Sequence, residues 1–185
     1  MKKVREAVFS TFEHIGLFQS NTTRVLDMFA GSGSVGLEAL SRGAGHATFV
    51  DLSDLCVKTA LRNAAKCGFD PSSVSSVCAR AEDVLTRPAD FGLTDPYHLI
   101  SITPPYQEVV YKELIDAVCE SPLVAADTLV SIEYPVELGS LPYILGDDKL
   151  FGVRNRKYGR TVLALYVYRP SKQISMKPEE FLPIS

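Results

Sequence analysis

Residues Val25 to Asp51 constrain this chain more than any other stretch. An apolar run, Val-Leu-Asp-Met-Phe, enters a turn with glycines at positions 31, 33 and 36. A helical pattern then runs to Gly43, and a second apolar run, Ala-Thr-Phe-Val, ends in Asp51. Strand, glycine turn, helix and strand make the βαβ pattern that lays a nucleotide-like ligand across strand ends. The glycine spacing alone suits a dinucleotide, with Asp51 placed to take ribose hydroxyls; it also suits a tightly packed turn that holds no ligand. Asp27 separates the ligands. A carboxylate at the end of the first strand would repel a pyrophosphate, but it would attract the ammonium and sulfonium of S-adenosylmethionine (SAM), which carries no phosphate. SAM is therefore the expected cofactor, with Asp27, Phe29, Ala30, Gly31, Gly33, Asp51 and Leu52 as its candidate contacts from this stretch.

With 185 residues, 46% of them hydrophobic, the chain fits one globular domain with a sizeable core. The expected division is a single domain over residues 1–170 and a polar tail over 171–185. Cys56, Cys67, Cys78 and Cys119 lack C-x-x-C spacing and sit in apolar segments. They read as reduced thiols used in packing, with no metal site expected. No apolar run approaches the length of a membrane span, and the first residues are amphipathic where a signal peptide would carry an apolar core. A cytoplasmic, soluble protein is expected, without a membrane partner and as a monomer. A net charge of −3 is awkward for a nucleic-acid partner, because affinity for phosphates comes from Lys and Arg. Two local basic clusters offset this: Lys2, Lys3 and Arg5, and Arg154, Arg156, Lys157 and Arg160. Each is equally readable as a solvated face.

Taken in order, helical spacing of Val4, Ala7, Val8, Thr11, Phe12 and Ile15 predicts an opening helix over residues 3–15. Strands are predicted at Val25–Phe29, His46–Val50, Val74–Ala79, Tyr97–Ile102 and Leu129–Glu133. Helices are predicted after the glycine turn, after the N-cap Ser53, at Glu82–Leu85 and at Val109–Cys119. Arg87–Pro96 reads as loop. Lys149–Arg156 and Thr161–Arg169 read as a closing pair of strands around Lys157-Tyr158-Gly159-Arg160. This alternation predicts an α/β, Rossmann-like fold with a mostly parallel sheet and helices on both faces, its ligands at the strands' carboxyl ends. The last residues read as a loosely held tail.

The fourth strand runs into Thr103-Pro104-Pro105-Tyr106. Two prolines remove backbone donors and hold the chain extended, which leaves carbonyls as acceptors with a flat ring beside them. An exocyclic amine on a nucleobase needs this set: acceptors for its hydrogens, a ring to stack on the base and a methyl donor in line. By itself the segment equally suits a proline turn with a packed tyrosine.

These stretches resemble the bacterial guanine-N2 methyltransferases of small-subunit ribosomal RNA, a family with the class I SAM-dependent methyltransferase fold. Val4-Arg5-Glu6-Ala7-Val8-Phe9 is similar to that family's opening helix, and Leu26 to Gly33 to its SAM loop. Leu99 to Tyr106 is similar to its Asp-Pro-Pro-Tyr strand, and Lys157-Tyr158-Gly159 with Thr161 to its closing hairpin. The resemblance implies a seven-stranded sheet with an antiparallel last strand, SAM as donor, and a guanine of ribosomal RNA, free or in the small-subunit particle, as acceptor. It carries three departures. Thr103 stands where the family has Asp. Arg80 stands where it has Asp or Asn near the adenine, which leaves Ala81, Glu82 and Asp83 as candidates there. The chain also starts at the opening helix, without a basic hairpin before it.

The expected function is methyl transfer from SAM to the N2 amine of a guanine, with Thr103, Pro104, Pro105 and Tyr106 at the base and Lys157, Tyr158 and Arg160 on the RNA. Two alternatives remain open: an adenine-N6 methylase, and a SAM-binding RNA or ribosome-assembly module weakened in turnover by Thr103. Glu133 is open to two placements, in the pocket or closing a helix end.

Overall fold

The computed structural model describes residues 2–106 and 110–182. The chain divides into two compact units, Met1–Ala81 and Glu82–Ser185. In the first, α1 (Lys2–His14), β1 (Arg24–Met28), α2 (Ser34–Ser41), β2 (His46–Asp51), α3 (Asp54–Lys66) and β3 (Val74–Cys78) follow one another in the predicted order. The strands are parallel in the order β3-β2-β1, with Met28 paired to Val50 and Asp51 to Cys78. Four of the five β1 residues are buried, the charged Asp27 among them, as expected of a parallel strand without strict alternation. Phe49 of β2 lies fully buried with Ala30, Leu40, Ala47 and Ala60, which packs α2 and α3 onto the strands.

Two local devices set the helices of this unit. Ser53 caps α3, its hydroxyl accepting from Cys56 N–H as the sequence predicts. On α1, Phe9 and Phe12 are buried against Phe18. Beside them Arg42 bridges Glu13 and Glu38, with its guanidinium over the Phe9 ring, and Arg5 also reaches Glu38. Arg5, expected in a basic cluster, is thus part of an ion-pair network. Cys67 and Cys78 are exposed and only Cys119 is buried, which corrects the expectation that the thiols serve packing. Cys67 follows the last turn of α3, and Cys78 ends the edge strand β3, where neither apolar neighbourhood closes over it.

The remaining elements are α4 (Ala81–Thr86), β4 (Leu99–Ile102), α5 (Tyr111–Glu120), β5 (Leu129–Pro135), β6 (Ile144–Leu145), β7 (Leu150–Tyr158) and β8 (Thr161–Tyr168). A short 3-10 turn, Pro88–Phe91, interrupts the predicted loop. The second unit's strands lie in the order β4-β5-β8-β7-β6. β4 and β5 are parallel, whereas β8 is antiparallel to both β5 and β7, so the last strand has the expected direction. Among the described residues, three strands and five make eight where seven are expected. The addition is β6, two residues paired to Leu150 and Phe151 and too short to carry an alternation that sequence could reveal. The predicted start of α5 at Val109 lies outside the described residues; the helix observed begins at Tyr111.

The tail, mostly exposed up to residue 182, is anchored at Phe181 where a loosely held segment is expected. Phe181 is buried, with its ring 5.3 Å from that of Tyr166 and 5.9 Å from that of Tyr143. Gly152 on β7 leaves the room: a Cβ there would come within 2.5 Å of the Phe181 ring. Glu180 accepts from Asn155 N–H, Ser175 O accepts from Arg154, and Ser171 binds Asp127 through its N–H and hydroxyl. A lone aromatic in a polar segment is a weak sequence signal, and the glycine that receives it is 29 residues away.

Candidate functional site

In the first unit the site forms where β1 ends. Phe29 leaves the strand with φ +60, a left-handed conformation that is costly for an aromatic residue. Ala30 N–H donates to Val50 O and Gly33 N–H to Ala30 O, so the turn is closed on itself and tied to β2. Gly31 takes φ +54, and a Cβ there would meet nothing within 4 Å. The space above the turn is open at that point. Gly36 has the opposite need, for a Cβ on it would lie 2.5 Å from the Phe49 ring. The three glycines of one motif thus differ, with open space at 31 and close packing against Phe49 at 33 and 36.

Asp27 and Asp51 bracket this turn. Asp27 is 1% exposed; its Oδ2 accepts from Gly36 N–H at 2.9 Å, and its Oδ1 has no hydrogen-bond partner among the described residues. Burial pushes the carboxyl up to about 7, aided by the charge of Asp51 and opposed by the N–H groups of Gly36 and Val35. Asp51 accepts from Gly31 N–H through Oδ2 and from Ser53 N–H through Oδ1, both at 2.9 Å. A carboxylate has about four acceptor sites, so two such bonds leave room for two more donors. Beside it Leu52 is 67% exposed, an apolar side chain held in the open. Ala81 is buried at the start of α4 and Glu82 is half-buried one residue on. Asp83 pairs with Arg87 one turn along α4, and Arg80 is exposed.

In the second unit Thr103 and Tyr106 are half-buried, Pro104 is buried and Pro105 exposed, directly after β4. The Tyr106 hydroxyl donates to Glu133 Oε1 at 2.8 Å and lies 2.8 Å from Thr161 Oγ1. Tyr111 O–H donates to the Glu133 carbonyl. Burial, then the Glu133 charge, holds the Tyr106 phenol above its ordinary range, while the bond to Thr161 opposes the shift. Glu133 thus accepts from the tyrosine of the Pro-Pro-Tyr segment. Sequence reasoning missed this contact, although both partners sit in stretches it singled out.

The closing hairpin turns through Gly159-Arg160, with Gly159 at φ +64 in the position where such two-residue turns favour glycine. Lys157 is exposed and Tyr158 half-buried. Arg160 pairs with Glu137 at 2.7 Å, and Arg156 approaches Glu180 at 3.8 Å. The predicted basic cluster is thus in large part matched by acceptors of the same unit, which partly accounts for its coexistence with a negative net charge. Among the described residues no helix is long and apolar enough to cross a membrane.

Residues 1–167 match the family model described as Conserved hypothetical protein 95. The chain is 32% identical to the Bacillus subtilis protein named Putative rRNA methyltransferase YlbH, over 90% of this chain and 85% of that one. It is 27% identical to Ribosomal RNA small subunit methyltransferase D of Escherichia coli K12, over 89% of this chain and 76% of the other. A solved structure titled Putative methyltransferase yhhF, from Escherichia coli, superposes with a TM-score of 0.74 at 26% identity, covering 90% of this chain and 85% of that one. With the class I methyltransferase fold and a family model matched over nearly its whole length, this chain belongs to the Conserved hypothetical protein 95 family, that of the small-subunit ribosomal RNA methyltransferases D.

Proposed function

We propose that this protein transfers a methyl group from SAM to the exocyclic N2 amine of a guanine in small-subunit ribosomal RNA. The observation that carries the nucleobase reading is Tyr106, a flat ring at the end of a rigid proline segment, pinned by its own hydroxyl. The cofactor reading rests on Asp27. A fully buried carboxyl oxygen without a partner among the described residues, on the strand that leads into a turn open at Gly31, fits a ligand that brings positive charge and hydrogen-bond donors.

SAM, when bound, supplies a methyl group on a positively charged sulfur. Asp27 and the backbone of Phe29, Ala30, Gly31 and Gly33 would hold its methionine end. Asp51 would accept from the ribose hydroxyls with its remaining lone pairs, and Leu52 would cover the adenine, with Ala81 and Glu82 at its far edge. Tyr106 would stack on the flipped base, while the carbonyls of Thr103 and Pro104 accept from the amine. The amine is a weak nucleophile because its lone pair is delocalised into the ring. Acceptors that favour its pyramidal form, and a fixed base plane, are what these residues contribute. Lys157, Tyr158 and Arg160 would face the RNA; an exposed pair such as Arg160 with Glu137 is weak and screened by salt, so a phosphate can take the place of the carboxylate. The substrate puts the protein in the cytoplasm, where thiols such as the exposed Cys67 and Cys78 stay reduced.

The test is transfer of radiolabelled methyl from SAM to small ribosomal subunits lacking the modification, with the product nucleoside identified. Label in N2-methylguanosine supports the reading. Label in N6-methyladenosine would move the substrate to adenine. SAM and particle binding without transfer would make the protein a binding module whose chemistry was lost at Thr103.

A further inference from the structure

The register of β5 and β8 places two side chains where one phenol can reach both. Glu133 pairs with Leu163 and Pro135 with Thr161, so Glu133 and Thr161 are diagonal neighbours on one face of the antiparallel pair. Tyr134, between Glu133 and Pro135, points to the other face and gives its hydroxyl to Asn155. Tyr106 sits on the Glu133 side, its oxygen 2.8 Å from each partner. A phenol has one proton; given to the carboxylate, it leaves the oxygen to accept from the Thr161 hydroxyl. Tyr111 fixes the strand beneath by donating to the Glu133 carbonyl.

Pro104 and Pro105 lock their own φ angles but leave both side-chain torsions of Tyr106 open. Two bonds to the hydroxyl, at the far end of the ring, remove that freedom. A stacking plate that is already ordered spares the transition state the entropy of ordering it.

We propose that Glu133 and Thr161 are positioning residues for methyl transfer, holding the Tyr106 ring in the plane on which the target base stacks. The inference rests on the reading of Tyr106 as the base-stacking residue. It assigns to the hydroxyl a role distinct from stacking: phenylalanine at 106 would stack on the base but would not be held.

The experiment is a double-mutant cycle on the full chain, with SAM and unmodified small subunits, comparing Tyr106→Phe, Glu133→Ala and the pair. Loss of a charge-assisted hydrogen bond felt in the transition state lowers kcat roughly ten- to a hundredfold. Both single variants are expected to fall in that range with SAM affinity unchanged, and the pair to lose no more than either alone. Glu133→Gln, whose amide oxygen still accepts, is expected to lose less, and it replaces Glu133→Ala in the cycle if the alanine variant does not fold. Unchanged kcat in Glu133→Ala, or losses that multiply in the pair, would overturn the proposal. If the native chain transfers no methyl to any RNA, the functional reading fails, and the contact is still tested by ultraviolet titration of the phenols. The difference between native and Tyr106→Phe isolates Tyr106, whose ionisation is expected to move to lower pH in Glu133→Gln; no movement would overturn the coupling.

Discussion

Asp27 Oδ2 accepts the backbone N–H of Gly36 at 2.9 Å, which fastens the end of β1 to the first turn of α2. One carboxylate thereby shapes the turn with one oxygen and keeps the other buried without a partner among the described residues. Burial favours the neutral acid; the cationic ligand of the proposed function would favour the anion.

The first prediction follows from that difference. Asp27 ionises near 4 in the unfolded chain and near 7 in the folded one. Between those values the folded state binds more protons, so the contribution of Asp27 to stability is fully present below about pH 4 and is lost as pH rises through 7. A shift of about 3 units corresponds to ~4 kcal/mol for a fully buried group. Urea unfolding at pH 5 and pH 8 without cofactor should show the native chain losing stability relative to Asp27→Asn as pH rises. SAM should restore the native chain at pH 8 and not the variant. Parallel pH profiles for the two proteins would refute the assignment.

Gly36→Ala tests the packing role of the third glycine of the motif. A helix-interior alanine gains up to about 1 kcal/mol over glycine, whereas overpacking a fixed core costs ~1–3 kcal/mol. The added Cβ would lie 2.5 Å from a Phe49 ring with no exposure, so the steric cost wins. The melting temperature should fall by several degrees and SAM affinity with it, because the Gly36 N–H that fixes Asp27 moves. An unchanged or raised melting temperature would show that the strand and helix can separate without loss.

These two residues also show how far sequence reaches. Asp27 and the glycine turn were legible because a short local motif carries them, and β1, α2, β2 and α3 fell within a residue or two of their predicted bounds. The carboxyl's burial, and the use of Asp51 to hold Gly31, follow from how the backbone turns, which spacing does not encode. Glu133 and Thr161 were in view as single residues. Their meeting at Tyr106 depends on the register between β5 and β8, across 28 residues of chain. The anchoring of the tail escaped for the same reason: Phe181 needs Gly152, and neither residue announces the other.

Phe181→Ala should expose this long-range packing. Deleting a buried phenylalanine costs ~3–5 kcal/mol, with the lower end expected here because the segment around Phe181 is mostly exposed and can shift to fill the space. Equilibrium unfolding should register the loss, with SAM affinity unchanged. A loosely held tail would give no change in stability, and that result would contradict the contacts of Phe181 with Tyr143 and Tyr166.

Thr103 decides how much of the chemistry needs a charge. Its hydroxyl is a neutral group at the end of β4, where the resembled family has a carboxylate. Thr103→Val keeps the shape and removes the hydroxyl. If the carbonyls of Thr103 and Pro104 do the accepting, the rate should fall by no more than about tenfold, the value of one neutral hydrogen bond. Thr103→Asp adds an ionised acceptor, worth roughly ten- to a hundredfold in rate if it meets the amine as positive charge develops. SAM affinity, which the proposed function assigns to Asp27 and the glycine turn, should stay constant in both variants, which separates an effect on transfer from one on cofactor binding. Single-turnover methyl transfer to unmodified small subunits measures each rate. A faster Thr103→Asp together with a nearly native Thr103→Val would mean that backbone carbonyls sustain a reduced rate in the natural chain. A slower Thr103→Asp would mean that the site has adapted to a neutral residue, and that the carboxylate is no longer the missing element.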